Sequence, residues 1–157
     1  MDIKYFTGIV DIDGLKFAYR NLAKQYHPDK GGSESVMKEI NAEYDYILRT
    51  KNFKHRGNEK KEVNIDFEIK LRDIIEKVTV YADIDIEVCG TWLWFGGNTK
   101  EHKDKLKEIG CRFAPKKTKW YYRDESQKMN FKKKTLSMEE IREKYGSVYV
   151  GKKKAIN

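Results

Sequence analysis

Apolar positions fall at helical spacing twice within the first fifty residues. Leu15, Ala18, Leu22 and Tyr26 form one stripe, and Met37, Ile40, Tyr44, Ile47 and Leu48 form another. On the first helix Lys16, Arg20 and Lys24 recur every four residues, so they share one face, expected to be exposed. Asp11 or Asp13 can cap its start, because a short carboxylate accepts from free amides there. Pro28 ends it, since proline has no amide to donate and disfavours helical geometry at His27. Gly31 and Gly32 keep the connection permissive, and Ser33 can cap the second helix. Two helices joined by so short a connection read as an antiparallel hairpin. Ahead of them, Tyr5-Phe6 and Ile9-Val10 are only a brief apolar opening.

From Arg49 to Asn64 the pattern collapses into charge, which reads as a hydrated linker or a frayed helix end. A new helical stripe begins near Ile65 with Phe67, Leu71, Ile74, Ile75 and Val78. Ile84, Ile86 and Val88 then alternate with Asp85 and Glu87, as in a half-buried strand. Gly90-Thr91 reads as a turn, and Trp92 to Phe95 as the returning strand. Asn98 or Thr99 can cap a helix that runs to Ile109, with Leu106 and Ile109 inward and Gly110 as its stop. Arg112 to Ala114 and Lys119 to Tyr122 read as two more strands around the turn Pro115-Lys116-Lys117-Thr118. Ser137-Met138-Glu139-Glu140 is a capping box that opens a last short helix. The predicted fold is therefore α+β in two units. An all-α hairpin spans 1–50, a charged linker 51–64, a small antiparallel α+β domain 65–127, and a short helix with a basic tail 128–157.

Composition changes this picture in three ways. The chain has 157 residues with 37% charged, so any unit of about fifty residues has a thin core. No apolar run approaches the ~18 residues of a membrane helix, and the N-terminus lacks the layout of a secretory signal, so the expectation is a cytoplasmic protein with no membrane partner. Cys89 and Cys111 are not in a CxxC arrangement and cannot close a zinc site alone, so they are expected to pack as small apolar residues rather than form a disulfide. The net charge of +8 is uneven. Seven basic and eight acidic side chains lie in residues 1–50, which leaves 26 and 17 for the rest. A basic second half suits an acidic partner, nucleic acid included, or simply keeps an aromatic-rich domain in solution.

The chemistry centres on His27-Pro28-Asp29. No nucleophile-base pair or metal-ligand cluster accompanies it, and His55 and His102 stand alone in charged segments. A catalytic His-Asp pairing is conceivable, but a fixed turn suits recognition at least as well. Taken alone, the triplet is a helix-stopping turn with Asp29 as a cap. Its flanks change that weighting. Ala18-Tyr19-Arg20, Leu22-Ala23, Tyr26-His27-Pro28-Asp29-Lys30 and Lys38-Glu39-Ile40-Asn41 with Tyr44 together resemble the J domain of DnaJ-type co-chaperones, over residues 3 to 50. The resemblance implies docking on a DnaK-type chaperone and stimulation of its ATP hydrolysis. It would use His27, Pro28 and Asp29 with the basic residues Lys16, Arg20, Lys24 and Lys30. Tyr19 would pack. A cationic face meeting an acidic partner gives orientation and on-rate more than affinity.

This chain departs from the family pattern in an abbreviated first helix, in Gly14 at the start of the second, and in having no Gly/Phe-rich segment or CxxCxGxG repeats. The second unit resembles uncharacterised J proteins of Gram-positive bacteria and their prophages through Ile86 to Trp94, Gly97-Asn98-Thr99, Lys105 to Gly110 and Lys116 to Tyr122. It has a fainter likeness to HARP-type modules of annealing helicases, which contact DNA. Trp92 and Trp94 share one strand face, and Trp120 and Tyr122 another; two of the three tryptophans are expected in the core. Lys116, Lys117, Lys119, Tyr121, Tyr122 and Arg123, with Lys132 to Lys134 nearby, could contact nucleic acid or a client. The expected function is therefore that of a J-domain co-chaperone without enzymatic activity, cofactor or metal, whose second unit selects a client protein. The alternative is a nucleic-acid-binding protein with the hairpin as scaffold.

Overall fold

The computed structural model describes residues 1–55, 58–123 and 136–150, with backbone alone for 54, 55, 58–62 and 148. Lys132 to Lys134 and the basic tail from 151 lie outside the described residues.

Residues 1–11 form no helix. They are held by Glu43, whose Oε1 accepts from the amides of Lys4, Tyr5 and Phe6 at 3.0, 2.8 and 2.9 Å. Helix α1 (Ile12–Tyr26) starts at Asp11, whose carboxylate accepts from the Gly14 amide at 2.6 Å. A β-carbon on Gly14 would press on that oxygen at 3.1 Å. A single 3-10 turn (Pro28–Lys30) leads to α2 (Glu34–Thr50). Ser33 stands at the start of α2, but its hydroxyl meets Ser35 rather than a backbone amide.

The stretch read as a charged linker holds a short strand pair. β1 (Lys54–His55) and β2 (Asn58–Glu62) pair antiparallel, and Phe53 just before them is buried in the main core. Main-chain pairing needs no apolar pattern, so charge alone did not reveal it. Helix α3 (Ile65–Thr79) follows, capped by Asn64 onto the Phe67 amide at 3.0 Å.

Five antiparallel strands then form one sheet: β3 (Ile84–Cys89), β4 (Trp92–Gly97), β5 (Arg112–Ala114), β6 (Lys119–Tyr122) and β7 (Val148–Tyr149), in the order β5-β6-β4-β3-β7. Helix α4 (Lys103–Ile109) precedes β5, and α5 (Met138–Tyr145) precedes β7. Neither Asn98 nor Thr99 caps α4: the helix begins after His102, and Asn98 bonds Asp83 at 2.9 Å instead. The capping box at Ser137 and Glu140 forms as the spacing predicts.

Strand alternation gives the sheet two faces. Ile84, Ile86, Val88, Leu93, Phe95 and Trp120 join the helices in one core, which runs unbroken from Phe6 to Val150. On the other face Cys89, Trp94 and Met138 form a smaller cluster under α5. Glu87, read as the exposed side of a half-buried strand, is therefore covered, and Arg142 of α5 grips it at 2.6 and 3.0 Å. Cys89 and Cys111 are free and buried, and burial pushes both thiols up to about 12. Among the described residues no helix is long and apolar enough to cross a membrane.

Candidate functional site

The His-Pro-Asp turn is built by its own backbone. The His27 amide closes α1 onto the Ala23 carbonyl at 2.9 Å, and the His27 carbonyl accepts from Lys30 and Gly32 at 2.9 and 3.0 Å. Pro28 begins the 3-10 turn, and Gly31 leaves it at φ 82°, a left-handed conformation that favours glycine. Gly32 passes so close to α1 that a β-carbon there would lie 2.1 Å from the Tyr26 carbonyl oxygen.

His27 Nδ1 accepts from the Asp29 amide at 3.1 Å. With that nitrogen used as an acceptor, a neutral ring carries its proton on Nε2, which lies 3.8 Å from Glu76. The Asp29 carboxylate is 72% exposed and 3.9 Å from Nδ1, so it does not orient the ring as a catalytic carboxylate would. The turn thus offers a fixed imidazole edge, a proline and an outward acid, which is a recognition geometry.

The basic set is divided. Lys30 is exposed beside the turn, and Lys24 is half-buried. Lys16 and Arg20 are not on an exposed face, contrary to the helical-wheel expectation. The Lys16 ammonium lies 2.8 Å from Glu68 of α3, with both side chains completely buried. Arg20 donates to the Ile84 carbonyl at 3.0 Å and is 1% exposed; burial pushes its guanidinium down to about 10. The physical reason is that α3 covers Lys16 and the start of β3 covers Arg20, so the shared face is an interface rather than a surface. Tyr19 packs, as expected. Its hydroxyl reaches Asn41 at 2.8 Å and Glu76 at 3.0 Å, and burial drives its ionisation far above the usual tyrosine range.

Sequence reasoning missed Glu68 and Glu76. Their signal was present: Glu68, Arg72 and Glu76 recur every four residues beside the apolar stripe of α3. Arg72 turns to α2, where it bonds Asp45 and the Asn41 carbonyl, and to Asp73.

The second candidate set is split across the sheet. Tyr121 opposes Trp94 and stacks on Trp92 at 5.3 Å, and Trp92 stacks on Trp94 at 5.7 Å. Lys117 sits over Trp94 and Arg123 over Trp92, at 5.8 and 5.9 Å. By strand alternation Lys119 shares this face, and Lys116 is exposed in the turn before it. Trp120 and Tyr122 turn to the main core, so Tyr121 and Tyr122 cannot act as one platform. Trp94 and Trp120 are buried and Trp92 is half-buried, so two tryptophans serve the core. A groove of about 400 Å³ lies at the sheet edge, lined by Lys70, Arg112, Tyr121, Tyr122 and Arg123 among others.

His102 does not stand alone. Its Nε2 meets the Asp83 carboxylate at 3.0 Å, and its ring lies 4.2 Å from that of Tyr81. Ligand-capable atoms of Asp83, Glu101 and His102 fall within 4.8 Å of one another. Asp83 already accepts from Asn98 and meets His102, so the group clasps the loop before β3 to the segment before α4. The Asn98 bond, with His102 beside it, holds the Asp83 carboxyl below the usual carboxylate range.

Comparison with known proteins adds one local likeness. Over 27 residues the chain is 63% identical to the small t antigen of budgerigar fledgling disease virus. That stretch covers 17% of this chain and 19% of the viral protein. No family model matches the chain, and no solved structure matches it. The relative found is viral, and the comparisons return nothing bacterial.

Proposed function

We propose that this protein is a J-domain co-chaperone. It stimulates ATP hydrolysis by a DnaK-type chaperone in the cytoplasm and brings that chaperone to a client held by the sheet domain. It performs no covalent chemistry of its own. The observation that carries this reading is the turn: His27 fixed by the Asp29 amide, with Pro28, Asp29 and Lys30 presented outward between two packed helices. The short likeness to a small t antigen points the same way. Single-turnover ATP hydrolysis by a bacterial DnaK tests it. Addition of the protein is expected to accelerate hydrolysis about tenfold or more, a lowering of the barrier by ~1.4 kcal/mol. Asp29→Asn should abolish the effect, because the exposed carboxylate is lost while the backbone turn is kept. Equal stimulation by that variant overturns the proposal.

The basic groove at Lys70, Arg112 and Arg123 supports nucleic-acid binding as a second reading. Mobility shifts on single- and double-stranded DNA over a salt series decide it. Counterion release requires affinity to fall steeply with salt, and salt-independent or absent binding removes this reading.

A further inference from the structure

The cationic face of α1 is already occupied from within the chain. Glu68 and Glu76 stand two turns apart on α3 and meet opposite ends of it. Glu68 neutralises Lys16 at 2.8 Å, while Glu76 holds the Tyr19 hydroxyl at 3.0 Å and stands 3.8 Å from His27. Between them Arg20 is buried with one carbonyl as acceptor, and among the described residues its Nε and Nη1 have no hydrogen-bond partner. A buried ion pair barely offsets its own desolvation, and a buried guanidinium with unmet donors is a net cost. Apolar side chains at these positions would make a more stable helix contact. The groups placed here are costly when covered and useful when exposed.

We propose that α3 is a built-in cover for the α1 face, its carboxylates standing where those of an acidic partner would stand, and that full engagement of the partner requires α3 to move aside. This rests on the co-chaperone reading above. The exposed tip, Pro28 to Lys30, makes first contact. A groove of about 300 Å³ beside it, lined by His27 and Asp29 together with Lys77, Tyr81 and Lys105, brings that contact against α3 and the residues that follow it. Replacement of Glu68 or Glu76 by the carboxylates of the partner then completes the docking face.

The test uses the full chain with DnaK and ATP. Glu76→Ala is the informative variant, because that side chain is 25% exposed and its loss leaves the Lys16–Glu68 pair in place. A cover held less firmly raises the fraction of competent molecules and lowers the apparent dissociation constant in proportion. The half-stimulating concentration should fall about threefold or more. Hydrogen exchange supplies a second reading: amides of residues 65–79 should exchange faster when the chaperone is bound. Suppose instead that the unaltered protein stimulates and Asp29→Asn does not. If Glu76→Ala then acts at the same concentration and the 65–79 amides do not change, the cover is refuted while the co-chaperone reading stands. If neither the unaltered protein nor Glu76→Ala stimulates, the co-chaperone reading falls and takes the cover with it.

Discussion

Glu43 does more for the N-terminal segment than any apolar contact suggests. One carboxylate oxygen collects three consecutive amides, and the residue is 4% exposed. Hydrogen bonds to a charged group are worth ~1.5–3 kcal/mol each, and the buried Phe6 amide left without its acceptor would cost ~1–3 kcal/mol. Glu43→Ala should therefore lower unfolding stability by about 3 kcal/mol, read by urea titration, with faster hydrogen exchange at residues 4–6. Gly32 is constrained differently. Gly32→Ala forces the turn away from the Tyr26 carbonyl, at a cost of about 3 kcal/mol, near the upper end for overpacking. It should also weaken ATPase stimulation, because the His27–Asp29 geometry shifts with it. Gly31 and Gly32 were legible as a pair that loosens the loop, but the close approach of Gly32 was not, since it depends on where α2 departs. Glu43 was illegible because an inward carboxylate leaves no mark on an apolar pattern. Lys16 and Arg20 show the limit of spacing: period four says which side chains share a face, not what covers it.

Among the elements, α5 and β7 are fastened by one fork. Arg142 holds Glu87 through two nitrogens, and Ser147 adds a hydroxyl. Burial alone would raise the Glu87 carboxyl, but Arg142 and Ser147 outweigh it and hold it below the usual range. A depressed folded value means that the stabilisation is fully present above the ordinary carboxylate range of about 4.3 and fades as pH falls through the lowered folded value. Arg142→Met should cost about 3 kcal/mol at neutral pH, the lower end for stranding a buried carboxylate, because Arg142 itself is half-buried. That penalty should shrink towards pH 3, as paired thermal melts would show. Helices α1 to α3 and strands β3 to β6 were legible, because each carries enough apolar residues to fix its period. β1 and β2 were not, since their charged sequence gives the pairing no signature. Two-residue β7 is too short for any pattern to find, and its place depends on α5 and Glu87.

At the scale of the whole molecule, the two predicted units share one core. Leu15 and Ala23 of α1, Leu71 and Ile75 of α3 and Ile84 of β3 belong to the same buried cluster. Calorimetry should accordingly show a single cooperative transition with matching calorimetric and van't Hoff enthalpies, where a hinge at the linker would give two. The α+β class and the order of α1 to α3 and β3 to β6 could be read from the chain, but the mutual docking of the halves could not. Besides that apolar core it involves pairs such as Arg20 with Ile84 and Arg72 with Asp45, which are far apart in sequence and polar in character. The order of these parts along the chain also has a consequence in time. α2 ends at Thr50 and α3 at Thr79, 29 residues later. At ~5–20 residues per second of synthesis, roughly 1.5–6 s pass in which the hairpin has been made and α3 has not. As that interval opens, neither Glu68 nor Glu76 yet exists to meet Lys16, Tyr19 and His27. The finished protein shows only the turn.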